Sequence, residues 1–164
     1  MQEPALFGLC DLWRFHPVWL GHELADSPRT IWLNAVGGNL FFSSALDRQV
    51  AWHATVTYFW LQILFHAGYR RVAMIGVDHS YQQPQGTVEG TVLRQEGDDQ
   101  NHFMLGYFRN RLWQAADTEH MGRTYSLARQ VYEADGRELI NCTEGGALEL
   151  LPRRPLHEAL AAPL

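Results

Sequence analysis

The amino-acid sequence predicts an α/β fold, Rossmann-like and three-layered, with a mostly parallel sheet and a long functional loop after its central strand. Three observations carry this. An apolar helical period over residues 56–67 stops at Gly68, a continuous apolar run follows at 72–77, and a second helix-to-strand pair recurs over residues 119–142. Helix, short turn and buried strand make half of a right-handed parallel crossover, and two such pairs argue for helices packed on a parallel sheet. At 164 residues the chain has the length of one α/β domain, so residues 1–164 are expected to form a single one.

Each element has its own signal. Residues 1–28 mix aromatic and polar side chains with a poor period and read as an N-terminal segment that is irregular or holds short helices. Thr30-Ile31-Trp32-Leu33 is β-branched and aromatic and precedes Gly37-Gly38, which predicts a short strand. Val56, Phe59, Trp60, Ile63, Leu64 and Ala67 fall on one helical face, with Gly68 placed to end the helix in a left-handed conformation. Residues 72–77 read as a strand buried on both sides. From Asp78 to about Glu119 no period is sustained, and a loop of that length in a compact domain is usually functional or disordered. Met121, Tyr125, Ala128 and Tyr132 stripe a second helix closed by Gly136; residues 138–142 form a further strand, and 155–160 a terminal helical turn.

Composition removes several function classes. Thirteen Lys+Arg against eighteen Asp+Glu give a net charge of −5, with no basic footprint for sequence-independent nucleic-acid binding. All thirteen cations are arginine, so neither a P-loop lysine nor a Schiff-base lysine is available. Cys10 and Cys142 lack metal-ligand spacing and read as reduced, buried thiols. No apolar stretch approaches the roughly 20 residues of a membrane span, and no basic cluster opens the chain as in a signal peptide. The expectation is a cytoplasmic protein with no transmembrane segment.

In open parallel sheets, ligands sit beyond the carboxyl ends of the strands. The strand ending at Val77 delivers Asp78, His79 and Tyr81 there. The long loop adds Asp98, Asp99, Asn101 and His102, and the later strand delivers Thr143, Gly145 and Gly146. Each has a plainer alternative: Asp78 capping a turn, His79 and His102 as structural histidines, Asp98-Asp99 as a solvated turn. A Mn²⁺ or Zn²⁺ site built from Asp78, His79, Asp98, Asp99 and His102 lacks any diagnostic ligand spacing. No Gly-x-Ser-x-Gly elbow is present for a serine hydrolase. Tyr58 lies opposite the apolar stripe, where it either packs a second layer, as Phe65 does, or holds a phosphate beside the free N–H groups of the helix start.

Four ordered segments carry a resemblance: Thr55-Val56-Thr57-Tyr58 before Ala67-Gly68-Tyr69; the apolar run ending in Asp78-His79-Ser80-Tyr81; Gly97-Asp98-Asp99-Gln100-Asn101-His102-Phe103; and Ile140-Asn141-Cys142-Thr143-Glu144-Gly145-Gly146. Over about residues 50–155 the chain resembles the 6-hydroxymethylpterin diphosphokinase-like family, which includes flagellin-modifying motility accessory factors. Its layout is similar to bacterial sialyltransferases that use CMP-linked sialic acid. The resemblance implies sugar transfer from a nucleotide donor, needing no cofactor, with His102 as general base and Tyr58 on the leaving phosphate. Trp52 falls where that family carries another tyrosine, and Thr55, Asp78, His79, Tyr81, Asp98, Asp99, Asn101, Thr143, Gly145 and Gly146 fall in the segments that would bind the nucleotide or sugar. No metal is implied in that case.

Two other functions stay open. One is pyrophosphoryl transfer from ATP to a pterin alcohol, with Mg²⁺ on Asp78, Asp98 and Asp99. The other is a non-catalytic relic or nucleotide-binding module. The Gly-Asn-Gly-Pro-Ser-like nucleotide loop that opens these families has no counterpart in residues 1–30. The chain therefore corresponds either to the C-terminal part of a larger transferase fold or to one that has lost half its site. The expected partner is a nucleotide or nucleotide-sugar. The aromatic load of residues 7–60 further implies a homo-oligomer or an additional N-terminal domain.

Overall fold

The computed structural model describes residues 11–81, 86–89, 92–95, 112–114 and 116–161. In chain order the strands are β1 (Arg14–Pro17), β2 (Thr30–Leu33), β3 (Ala35–Val36), β4 (Val50–Ala51), β5 (Arg71–Met74), β6 (Gly86–Glu89), β7 (Val92–Gln95), β8 (Leu112–Gln114) and β9 (Glu138–Asn141). The helices are α1 (Val56–His66), α2 (Thr118–Ala134) and α3 (Leu156–Ala161), and a 3₁₀ helix occupies Val18–His22. The architecture is mixed α/β with short parallel strand pairs: β1 with β2, β3 with β4, and β5 with β9. The sense of the last pair follows from its bonds, Glu138 N to Arg70 O and Cys142 N to Met74 O, which advance together along both strands. Among the described residues no sheet exceeds three strands.

Two compact units divide the chain, Met1–Val72 with Leu127–Glu138, and Ala73–Ser126 with Leu139–Leu164. In the first, Leu33, Ala35, Leu46, Val50, Phe59 and Ile63 form one buried cluster, against which Phe15 and Ile31 pack. Phe42 meets Tyr58, Phe65 and Tyr132 edge to face, and the Tyr132 hydroxyl donates to Leu61 O at 2.8 Å. In the second, Ile140, Cys142 and Ala159 pack with Ala73.

Local chemistry sets the helix ends. Thr55 caps α1 by accepting from Thr57 N, and Asp117 caps α2 by accepting from His120 N at 2.8 Å. Both helices stop in the same way. Gly68 and Gly136 take positive φ, Gly68 N and Tyr69 N bond back to Phe65 O and Leu64 O, and Gly136 N and Arg137 N bond back to Glu133 O and Tyr132 O. These are the paired bonds of a Schellman motif.

Four expectations are corrected. Residues 14–17 are a parallel strand rather than irregular chain, with Phe15 opposite Ile31 and Pro17 opposite Leu33. The strand expected over 72–77 ends at Met74, because Gly76 turns the chain with φ +68° and Ile75 lies exposed. The stretch from Asp78 to Glu119 holds an antiparallel three-stranded sheet, β6-β7-β8, with Thr87 opposite Arg94 and Leu93 opposite Trp113. Finally, the buried face of α1 is turned from the expected stripe: Tyr58, Phe59, Leu61, Gln62, Ile63 and Phe65 are inside, while Val56 and Trp60 are outside.

Candidate functional site

β5 and β9 run side by side and end together at Met74 and Asn141, so their continuations share one carboxyl edge. Thr143 stitches that edge: its hydroxyl accepts from Val77 N at 3.0 Å, while its own N–H donates to Asn141 Oδ1 at 3.0 Å. The chain then turns through Gly145 and Gly146, both at positive φ. Ala147 N donates to Asp78 O at 2.6 Å, and a Cβ on Gly146 would stand only 2.7 Å from that same oxygen. Of the three segments expected to converge, the Asp78 turn and residues 143–146 therefore meet, the third lies outside the described residues, and glycine at 146 is required by the close approach of the two backbones.

His79 occupies this junction with φ +51°, unusual for a residue other than glycine. Its ring stands 5.8 Å from that of Tyr125, edge to face, and its Nδ1 is buried without a hydrogen-bond partner among the described residues. Burial holds the imidazole below its ordinary pKa, which keeps it neutral near pH 7. Tyr81 lies nearby in the chain, its phenol pushed upward by burial and then by the charge of Asp78.

On the α3 side, the edge opens into a cleft of about 860 Å³ lined by Ile75, Gly76, Asn141, Cys142, Thr143, Glu144, Arg153, Arg154, Pro155, Leu156, His157 and Leu160. That volume lies within the range of small-molecule sites. Arg153 is largely structural. It donates to Thr143 O at 2.9 Å and to Gly145 O, and it pairs with Glu149 at 3.1 Å. Arg154 and His157 are the other cationic or potentially cationic groups of the lining, with Glu144 the acidic one. Cys142 is a free, buried thiol, raised above its ordinary pKa by burial while the Arg154 charge pulls the other way. The cleft is thus mainly apolar, with its cations gathered on the segment just before α3 and at the start of that helix.

The remaining sequence-derived candidates are distributed differently. Tyr58 is 0 % exposed; its hydroxyl donates to Phe41 O at 2.7 Å, and its ring packs on Phe42. This side chain belongs to the core and presents no donor to a phosphate, which corrects its expected placement. Thr55 is the cap of α1, and Trp52 is a half-exposed ring packed edge to face with Trp19 and Phe59. His102, Asp98, Asp99 and Asn101 lie outside the described residues, as does Cys10. Among the described residues no group of three or more His, Cys, Asp or Glu is placed to hold a metal ion. No described helix is long and apolar enough to cross a membrane.

The reading from sequence missed Arg153, Arg154 and His157. Their signal was Pro152-Arg153-Arg154-Pro155, an arginine pair that flanking prolines keep extended. That extension lets Asn141 N bond Pro152 O and Arg154 N bond Asn141 O, laying the arginines along β9 at the strand edge. Against known proteins, the chain matches no family model, no curated protein and no solved structure. Fold and site alone define its class: a mixed α/β chain with a ligand-sized cleft at the carboxyl ends of a parallel strand pair.

Proposed function

We propose that the chain binds a nucleotide or nucleotide-sugar at the carboxyl edge of β5 and β9 and acts as a sugar transferase of the CMP-donor type. The observation that carries this is the position of the cleft, at the ends of two parallel strands, with Arg154 and His157 in its lining. An apolar slot bounded by a guanidinium suits a ligand with a flat base and an anionic phosphate. A Rossmann-like arrangement is the finer fold reading that goes with it, supported by α2 leading directly into β9.

In the reaction, the acceptor hydroxyl oxygen bonds to the anomeric carbon of the sugar while the bond from that carbon to the phosphate oxygen breaks. The hydroxyl proton passes to a neutral imidazole, and the nucleotide monophosphate departs with its electron pair. The role of base falls to His102, outside the described residues. A second reading, nucleotide binding without turnover, is favoured by the burial of Tyr58, because the phenol matched to the leaving phosphate is tied to Phe41 O.

Thermal unfolding with CMP, CTP, ATP and GDP tests the binding. A ligand at 100 times its dissociation constant adds about 2.7 kcal/mol, or roughly 5–10 °C in a domain of this size. Such a rise with a nucleotide supports the reading, and no shift with any of the four contradicts it. Turnover of a CMP-sugar that disappears in His102→Ala separates the transferase from the binding module.

A further inference from the structure

We infer that the outward face of α1 is a self-association surface on which a second copy of this chain docks. The helix is apolar nearly all round: its core side is buried, and on the other side Trp60 meets Phe15 edge to face at 5.4 Å yet stays partly exposed. Val56 and Trp60, one turn apart, are 60 % and 39 % exposed, and Leu64 continues the same line partly exposed. Trp52 at 41 % and Trp19 at 42 % extend the patch. Trp19 meets Trp52 edge to face at 5.4 Å, and Trp52 meets Phe59 of α1 at 5.4 Å. Val18, beside Trp19 in the chain, is 49 % exposed.

A helix apolar on both sides normally has a partner on both sides. The segment that carries Trp52, Val56 and Trp60 is free of formal charge: from Gln49 to Tyr69 the sequence contains no Asp, Glu or Arg. A copy bearing a net charge of −5 is repelled by another copy over most of its surface, and this is a face where such repulsion is weakest. Area favours the same occupant. Three indoles about two-fifths exposed offer ~100 Å² each, and the two valines bring the apolar patch to ~500 Å². Two copies related by a two-fold axis then bury about 1,000 Å², the lower limit for a specific interface, which fits a weak dimer. The surface is the same patch on each copy, so Val56 and Trp60 meet their own counterparts or each other across the axis.

Sedimentation velocity on the full chain from about 1 to 100 µM tests this. A concentration-dependent shift from monomer to dimer is expected. Trp60→Glu should weaken the dimer at least tenfold with the thermal midpoint held within a few degrees. Val56→Glu should do the same without harming α1, since an acidic residue in the first turn suits the helix dipole. Leu160→Glu, an exposed apolar site in the other unit, should leave the dimer intact. A chain that stays monomeric at 100 µM, or a dimer indifferent to both α1 variants, overturns the inference.

Discussion

Gln62 and Ala51 are joined at both ends of one side-chain amide: Gln62 Oε1 accepts from Ala51 N at 2.9 Å, and Gln62 Nε2 donates to Ala51 O at 3.0 Å. The amide imitates a neighbouring strand on the two-residue β4, and the same Oε1 also accepts from Ser43 N at 3.0 Å. Gln62 is fully buried, so these groups have no water to turn to. Gln62→Leu should therefore destabilise the chain by about 3 kcal/mol or more, since two buried backbone donors each lose a partner at ~1–3 kcal/mol. Urea unfolding measures it; a loss under 1 kcal/mol contradicts the arrangement.

The same side chain shows why α1 was legible in its limits but not in its orientation. Gly68 is a local signal and ends the helix as the sequence implied, while Thr55, expected only among the nucleotide-binding residues, is its cap. Facing is a tertiary property. A stripe search treats a polar residue as outward, but Gln62 points inward because β4 needs its amide, and this carries Tyr58 and Phe65 inward too. The strand edge was legible because Asp78 and residues 143–146 follow apolar runs. The arginines at 153 and 154 were not, because their place depends on a bridge from Asn141 to Arg153 that no local pattern specifies.

Tyr58→Phe separates a core role from a chemical one. The loss of the bond to Phe41 O should lower stability by about 1 kcal/mol. Nucleotide affinity and any turnover should be unchanged in isothermal titration and activity assays. A large fall in turnover with stability intact would return Tyr58 to the site.

Gly145 and Gly146 share a positive φ but differ in surroundings. At 145 nothing lies within 4 Å of a built Cβ, whereas at 146 the backbone of Asp78 does, at 2.7 and 2.9 Å. Gly145→Ala should cost about 1 kcal/mol from backbone strain alone, and Gly146→Ala at least ~2 kcal/mol more as the Asp78 turn is pushed away. Equal losses in the two variants would show that the junction is loose.

The pH dependence of stability has a definite sign at His79. Its folded pKa is lowered by burial, so below the ordinary value of 6.5 the unfolded chain takes up a proton that the folded chain resists. The contribution of His79 is thus fully present at neutral pH and is lost as the pH falls through 6.5 toward its folded value. His79→Asn tolerates the left-handed backbone and should flatten that acid limb in chemical denaturation measured from pH 7.5 to 5. An unchanged limb would mean that another group dominates it.

Amide chemical-shift mapping during titration with CMP addresses the proposed site most directly. Saturable shifts should concentrate on Ile75, Cys142, Thr143, Arg154 and His157, around the cleft between the strand ends and α3. Arg154→Gln should weaken the binding at least tenfold with the fold retained. Shifts centred elsewhere, or none at millimolar CMP, would contradict a nucleotide site at the carboxyl edge of β5 and β9.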